Sequence, residues 1–337
     1  MEFIDEILGY SSISIVGMAK NAGKTECMNY ILSKVKDKGK QLAVTSIGVD
    51  GENQDQVTQT AKPEIEIYEG MLFVTSEKHY KEKRLIAEIL DVSTEQTSLG
   101  RLVTARAITS GKVLLSGPAN TESLKTMIRN MKKWGVDTTF VDGALSRTSL
   151  GSPAVTDTLV LVTGAAVSRN IPELVRKTNY LFELIKLEAV DEELYEKFSG
   201  IESGVWSIDK KGSARDLKIP SILMLDQYKE KVFKYGNTIY VAGIISDSFL
   251  QFLRVQEQIN EVVLVVKDFT RIFASMESYY AYLKKGGQLK VLLKTKLLGI
   301  CINPTSPEGY KLDSDELKTA LEEKMQIPVY DIRKLPQ

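Results

Sequence analysis

The chain has 337 residues, 43% of them hydrophobic and 26% charged, with 44 basic and 44 acidic side chains and a formal net charge of zero. That is the composition of a globular chain long enough for two domains, and it offers no long-range attraction to nucleic acid. Two well-separated cysteines, Cys27 and Cys301, and one histidine, His79, exclude a disulfide framework, a cysteine zinc site and a multi-histidine metal site.

Short apolar runs rich in β-formers alternate with amphipathic segments, which predicts an α/β fold with a mostly parallel sheet. The start, Met1-Glu2-Phe3-Ile4-Asp5-Glu6, is acidic and unlike a signal peptide. No apolar stretch approaches the ~20 residues that span a bilayer. A cytoplasmic protein with neither membrane nor nucleic acid as a partner is expected. Residues 13–16 read as the first strand and 24–36 as a helix whose Cys27, Met28, Ile31, Leu32 and Val35 share one face, with Gly39 beyond its last turn. A second strand, 42–47, runs to Gly48-Val49-Asp50-Gly51.

Residues 61–116 read as an antiparallel extension of the main sheet. Strands at 64–68 and 71–75 flank Glu69-Gly70, helical residues follow over 77–90, and strands at 101–109 and 112–115 flank Ser110-Gly111. The parallel pattern resumes with a helix capped by Asn120 or Thr121 and stopped by Gly135. Strands at 138–141 and 159–162 and a helix over 172–187 come next. Past residue 200, strands near Ile222, Ile239, Val262, Leu289 and Leu298 alternate with helices, one of them over 317–324. The glycine- and serine-containing stretch 200–212 suggests a junction. The expected division is a nucleotide-binding domain over 1–200 and a C-terminal α/β domain over 201–337.

The segment Gly17-Met18-Ala19-Lys20-Asn21-Ala22-Gly23-Lys24-Thr25 joins the first strand to the first long helix. This is the setting of a phosphate-binding P-loop. Backbone amides of a tight loop form an anion nest, and the helix adds the positive end of its dipole. Gly23 permits close approach of phosphate, Lys24 supplies a mobile cation, and the Thr25 hydroxyl suits magnesium. Gly17, Lys20, Asn21, Ala22, Gly23, Lys24, Thr25 and Glu26 are therefore the expected nucleotide-binding residues. Five residues, rather than four, separate Gly17 from Gly23-Lys24-Thr25, and Met18 stands where glycine is usual. This longer spacing resembles dethiobiotin synthetase and its relatives, a branch that includes amide-forming enzymes and metallocofactor chaperones.

A P-loop enzyme also needs carboxylates for magnesium and for orienting a nucleophile. Asp142, after Thr139-Phe140-Val141 and before Gly143, ends a strand where ligands gather in a doubly wound sheet. It reads either as a Walker B carboxylate or as a turn aspartate. Asp50 ends the second strand; the dethiobiotin-synthetase resemblance implies a place at magnesium or the attacking group, and Asp50-Gly51 is equally a turn pair. The expected catalytic set is Lys24, Asp50 and Asp142, and the expected metal set Thr25, Asp50 and Asp142. Glu52 is a weaker candidate. Lys62-Pro63, Gly117-Pro118-Ala119-Asn120, Arg147, His79 and the cysteines read more simply as loop, helix-start or structural residues. Asn303-Pro304 follows an apolar strand, without the pattern of a guanine reader.

The runs Ser14-Ile15-Val16-Gly17-Met18-Ala19-Lys20-Asn21-Ala22-Gly23-Lys24-Thr25, Thr45-Ser46-Ile47-Gly48-Val49-Asp50-Gly51-Glu52 and Phe140-Val141-Asp142-Gly143-Ala144-Leu145-Ser146-Arg147 together resemble the P-loop subunit of the lysine 5,6-aminomutase reactivases. The likeness is strongest over residues 12–165. It implies a partner-stimulated ATPase, with ATP and Mg2+ as cofactors, that promotes release of damaged cofactor from an adenosylcobalamin-dependent aminomutase. It also implies a second reactivase subunit as a further partner. The chain has no Asp-x-His-x-x-Gly, so the cobalamin would be held by the mutase. A ligase of dethiobiotin-synthetase type, forming an amide or lactam, is the alternative, and a nucleotide-binding regulator with little turnover is a third reading.

Overall fold

The computed structural model describes residues 2–48, 64–144, 152 and 155–334. The chain divides into two units, Met1–Asn179 with Lys296–Gln337, and Tyr180–Thr295. In chain order the first comprises α1 (Glu2–Ile7), β1 (Ser12–Gly17), α2 (Lys24–Val35), β2 (Leu42–Ser46), β3 (Ile65–Ile67), β4 (Leu72–Ser76), α3 (Glu77–Glu82), β5 (Ala87–Thr97), β6 (Gly100–Ala107), β7 (Gly111–Val113), α4 (Thr121–Met131), β8 (Thr138–Ala144) and β9 (Thr158–Gly164). Helix α5 (Ile171–Ile185) carries the chain into the second unit. That unit holds α6 (Glu192–Phe198), β10 (Val205–Ile208), β11 (Ala214–Asp216), β12 (Thr238–Val241), α7 (Asp247–Arg254), β13 (Val263–Val266), α8 (Met276–Lys284) and β14 (Gln288–Val291). The chain then returns with β15 (Leu297–Asn303), α9 (Ser314–Met325) and β16 (Val329–Asp331).

The first unit is built on a nine-stranded sheet in the order β16-β15-β9-β1-β8-β2-β4-β6-β5. From β16 to β4 every neighbouring pair is parallel; β6 and β5 continue it antiparallel. Fold class is therefore α/β with a mostly parallel sheet and an antiparallel extension. All six residues of β1 and all seven of β9 are buried, because strands covered on both faces need not alternate. On one face Cys27, Met28, Ile31, Leu32 and Val35 of α2 pack with Ile13, Ile15, Phe140, Val160 and Cys301. On the other, Leu124 and Ile128 of α4 pack with Ile47 and Val141, and Met131 with Leu72, Val74 and Leu102. The Asn120 side chain accepts from Ser123 N and caps α4, and Gly135 closes the turn after it in the left-handed conformation.

The antiparallel region differs in pairing from the two expected hairpins. β3 pairs with β7, Ile65 opposite Val113, while β4 lies between β2 and β6 in the main sheet. Helix α3 ends at Glu82, and 87–97 form a strand whose first residues, 87–90, fall where helical residues were expected. Register shifts between Ile89 and Asp91 and between Val92 and Gln96 interrupt the period of two. With Ile86, Ile89 and Val92 spaced by three, the bulged strand carries a helix-like apolar pattern.

The second unit has a sheet in the order β11-β10-β12-β13-β14, parallel from β12 to β14 and antiparallel at β10 and β11. Phe198 of α6 stacks on Tyr240 of β12 with centroids 4.7 Å apart. Stretch 200–212, expected as a junction, instead contains β10 and most of its hairpin turn. There Asp209 Oδ1 accepts from Lys211 N and Ser213 N, each at 2.9 Å. Ile222 begins a short 3-10 segment, Ile222–Gln227, rather than a strand. Residues 297–331, placed by the sequence in a C-terminal domain, supply β15 and β16 to the first sheet. Among the described residues no helix is long and apolar enough to cross a membrane.

Cys27 and Cys301 are both fully buried in the same core cluster. A side-chain hydrogen bond to Cys301, and then burial, push the Cys27 thiol well above its ordinary value. Iodoacetamide at pH 8 is therefore expected to label neither thiol in the folded protein and both after denaturation in guanidinium. Rapid labelling of the native chain, read by intact mass, would contradict the buried pair.

Candidate nucleotide site

Strand β1 ends at Gly17, and the loop to α2 is tied down at both ends. Met18 N donates to the Val162 carbonyl of β9 at 2.9 Å, and Cys27 N to the Gly23 carbonyl at 2.9 Å. Between them Ala22 N donates to the Ala19 carbonyl at 3.4 Å. Asn21 and Gly23 both have positive φ, 59° and 95°. Left-handed residues in a tight turn aim backbone amides to one side, the geometry of an anion nest. Gly23 occupies the N-cap of α2 and brings no side-chain cap, so side chains leave the first-turn amides open at the positive end of the helix dipole.

Lys24 opens α2. Its stem lies against Gly17, where an added Cβ would meet Lys24 Cγ at 3.0 Å. Its Nζ donates to Asp142 Oδ1 at 2.6 Å, and the two side chains are 21% and 22% exposed. The contact follows from sheet register: β1 and β8 are parallel neighbours, with Ile15 opposite Asp142 and Gly17 opposite Ala144. Ser46, at the end of β2, donates through Oγ to the Asp142 carbonyl at 3.3 Å. The structure thus brings together Gly17, Gly23, Lys24 and Asp142. Thr25 is half-buried in the first turn, Ala22 is buried, and Lys20 and Asn21 are exposed on the loop.

Glu26 is turned outward. Its carboxylate accepts from Arg333 Nη2 at 2.6 Å and Nε at 3.3 Å, while Arg333 Nη1 donates to Thr305 Oγ1 at 3.0 Å. Asn303, the last residue of β15, packs on the loop: a Cβ at Gly23 would lie 2.8 Å from Asn303 Cβ. Asn303 Oδ1 accepts from Thr305 N at 3.1 Å and its carbonyl from Ala165 N at 2.9 Å. Arg333 and Thr305 were not singled out from sequence. Arg333 lies 307 residues from Glu26, and no local pattern reports a contact across that separation.

Asp50, with Glu52, Lys62-Pro63 and Arg147, lies outside the described residues. His79 is buried with Nδ1 2.9 Å from Ser116 Oγ, a structural setting. Among the described residues no group of three or more His, Cys, Asp or Glu side chains gathers as a metal site. Two cavities of about 390 Å³ each are lined by other residues, one along β5, β6 and α4 and one near Ser12 and Asp157. Comparison with protein-family models, with curated proteins and with solved structures finds no match.

The packing of Asn303 on the loop is testable by contrast with Gly39, whose φ of 71° is also positive but which has nothing within 4 Å of a built Cβ. Gly39→Ala meets backbone strain alone, about 1–2 kcal/mol. Gly23→Ala adds the Asn303 collision and is expected to cost about 2–4 kcal/mol in urea unfolding. Equal losses would remove the proposed contact. The exposed Arg333–Glu26 pair is 46% and 48% exposed, so Arg333→Ala is expected to cost under about 1 kcal/mol.

Proposed function

We propose that the chain binds ATP with Mg2+ at residues 17–25, hydrolyses it, and serves as a reactivase for an adenosylcobalamin-dependent amino-acid aminomutase. One observation carries the nucleotide reading: Lys24 Nζ, at the start of a helix without a side-chain cap, lies 2.6 Å from a carboxylate near the C-terminal end of the neighbouring parallel strand. The reactivase reading rests on the sequence resemblance over residues 14–25, 45–52 and 140–147.

The donor chemistry fits both groups. Open first-turn amides and a lysine suit a polyphosphate. A threonine hydroxyl and an aspartate carboxylate are hard oxygen donors that suit Mg2+. Lys24 and Thr25 would hold the phosphates and the ion, with Asp142 and the expected Asp50 completing the oxygen set. Bound Mg2+ would supply neutralisation of phosphate charge. Lys24 is neutralised internally by Asp142, so phosphate recruitment requires an exchange: Lys24 turns to the phosphate, and Asp142 is released to act as an oxygen donor. A reactivase draws work from this only if nucleotide favours one state of its complex with the mutase over another.

Two variants separate the roles. Lys24→Ala is expected to abolish ATP binding with an unchanged circular dichroism spectrum; retained binding would remove the P-loop reading. Asp142→Asn frees Lys24, so calorimetry without Mg2+ should give ATP affinity equal to or above that of the parent, while Mg2+ should strengthen binding far less. Weaker Mg2+-free binding in Asp142→Asn would sink the exchange. For the reactivase reading, Mg2+-dependent ATP and GTP hydrolysis is measured with and without an inactivated cobalamin-dependent aminomutase. Stimulation by the mutase is expected. Equal, negligible turnover would overturn it in favour of a ligase that needs a small acceptor.

A further inference from the structure

We propose that the outer edge of β5 is a docking site for an extended, basic segment of a partner protein, which joins the nine-stranded sheet as an added strand. β5 is the last strand in the order and has eleven residues, so it runs for about 36 Å at ~3.3 Å per residue. It pairs with β6 on one side, and among the described residues no strand pairs with the other. Such an edge is a row of outward-facing backbone donors and acceptors, of which the Ala87 carbonyl at its start already accepts from the Tyr80 hydroxyl at 2.9 Å.

Large apolar side chains gather at its start. Ile86, Ile89 and Ile108 are 64%, 50% and 47% exposed, and Ile108 N donates to the Ile86 carbonyl at 2.8 Å. Single exposed isoleucines are ordinary; three around one strand end form a patch. Alongside runs the 390 Å³ groove, lined by Asp91, Ser93, Thr104, Met127 and Trp134 and, among the described residues, with no lysine or arginine in its wall.

Register and charge select the occupant. The bulge after Ile89 puts Glu88 and Asp91, opposite Arg106 and Thr104, on one face of the strand. Ile89 and Val92, opposite Ala105 and Val103, fall on the other. Residues 86–97 contain Glu88, Asp91 and Glu95 and neither lysine nor arginine. Glu88 has Arg106 at 3.7 Å, whereas Asp91 has no ion-pair partner among the described residues. A second copy of β5 would bring like carboxylates together across a twice-broken ladder, which disfavours self-pairing. A strand that alternates basic and apolar residues matches both faces, its cations toward Glu88 and Asp91 and its apolar side chains toward Ile89.

The test uses the full chain and fluorescein-labelled peptides of about ten residues, read by fluorescence anisotropy. The probes are alternating Lys-Val, its block isomer Lys-Lys-Val-Val, and alternating Glu-Val. Alternating Lys-Val is expected to bind tightest and Glu-Val not at all. Asp91→Lys and Ile89→Lys, both at exposed positions, should each weaken it by about tenfold or more. Glu316→Lys on α9 and Lys24→Ala should leave it unchanged, the latter because this surface is independent of the nucleotide reading. Equal affinity for the block isomer, or no effect of Asp91→Lys with circular dichroism unchanged, would overturn the proposal. So would a concentration-dependent dimer in sedimentation velocity that Ile89→Lys abolishes, since that gives the edge to a second copy.

Discussion

The parallel pairing of β1 with β8 is the constraint on which the candidate site depends. It sets Ile15 beside Asp142, so that the loop leaving β1 and a carboxylate in the last residues of β8 lie at the same end of the sheet. Both strands are buried on both faces, and that burial comes from α2 on one side and α4 on the other. A shift of one residue would turn buried side chains to the opposite face throughout the strand. The 2.6 Å contact between Lys24 and Asp142 is thus a product of core packing as much as of charge.

The first turn of α2 carries two ion pairs of different character. Lys24 points inward to a partly shielded carboxylate, where electrostatic interaction is strong and each partner matters to the other. Glu26 points outward to Arg333, in a bidentate but solvent-screened contact. The same turn therefore meets β8 on one side and the C-terminal segment on the other, with Asn303 of β15 filling the space against Gly23. The open amides of the helix end sit within a frame drawn from three distant parts of the chain.

Much of that frame was legible in the sequence. The strand, loop and helix over residues 12–35 announced themselves through a continuous apolar run, a glycine pair and a 3.6-residue periodicity. The strand before Asp142 was marked by Thr-Thr-Phe-Val, though β8 runs on through Asp142 and Gly143 to Ala144. The pairing partners of β4 were hidden, because an apolar strand next to a glycine turn looks the same whether its neighbour is adjacent in sequence or not. β5 was obscured by bulges that blur its alternation. The return of β15 and β16 to the first sheet could not be read locally, since a buried parallel strand carries no mark of which sheet it joins. Arg333 and Thr305 were missed for the same reason, and Asp50 lies outside the described residues.

The placement of β15 has a consequence for synthesis. A nascent chain that has emerged only as far as Thr295 contains β1, α2, β8 and β9 but lacks the strand that pairs with the far side of β9. Until Asn303 has been made, β9, with its central Leu-Val-Leu-Val run, ends the sheet as an edge, and the loop at Gly23 lacks the side chain that packs on it. The glycine loop at Gly23 is thus completed by a residue made long after it. Such long-range closure slows folding and leaves an unpaired edge in the interval.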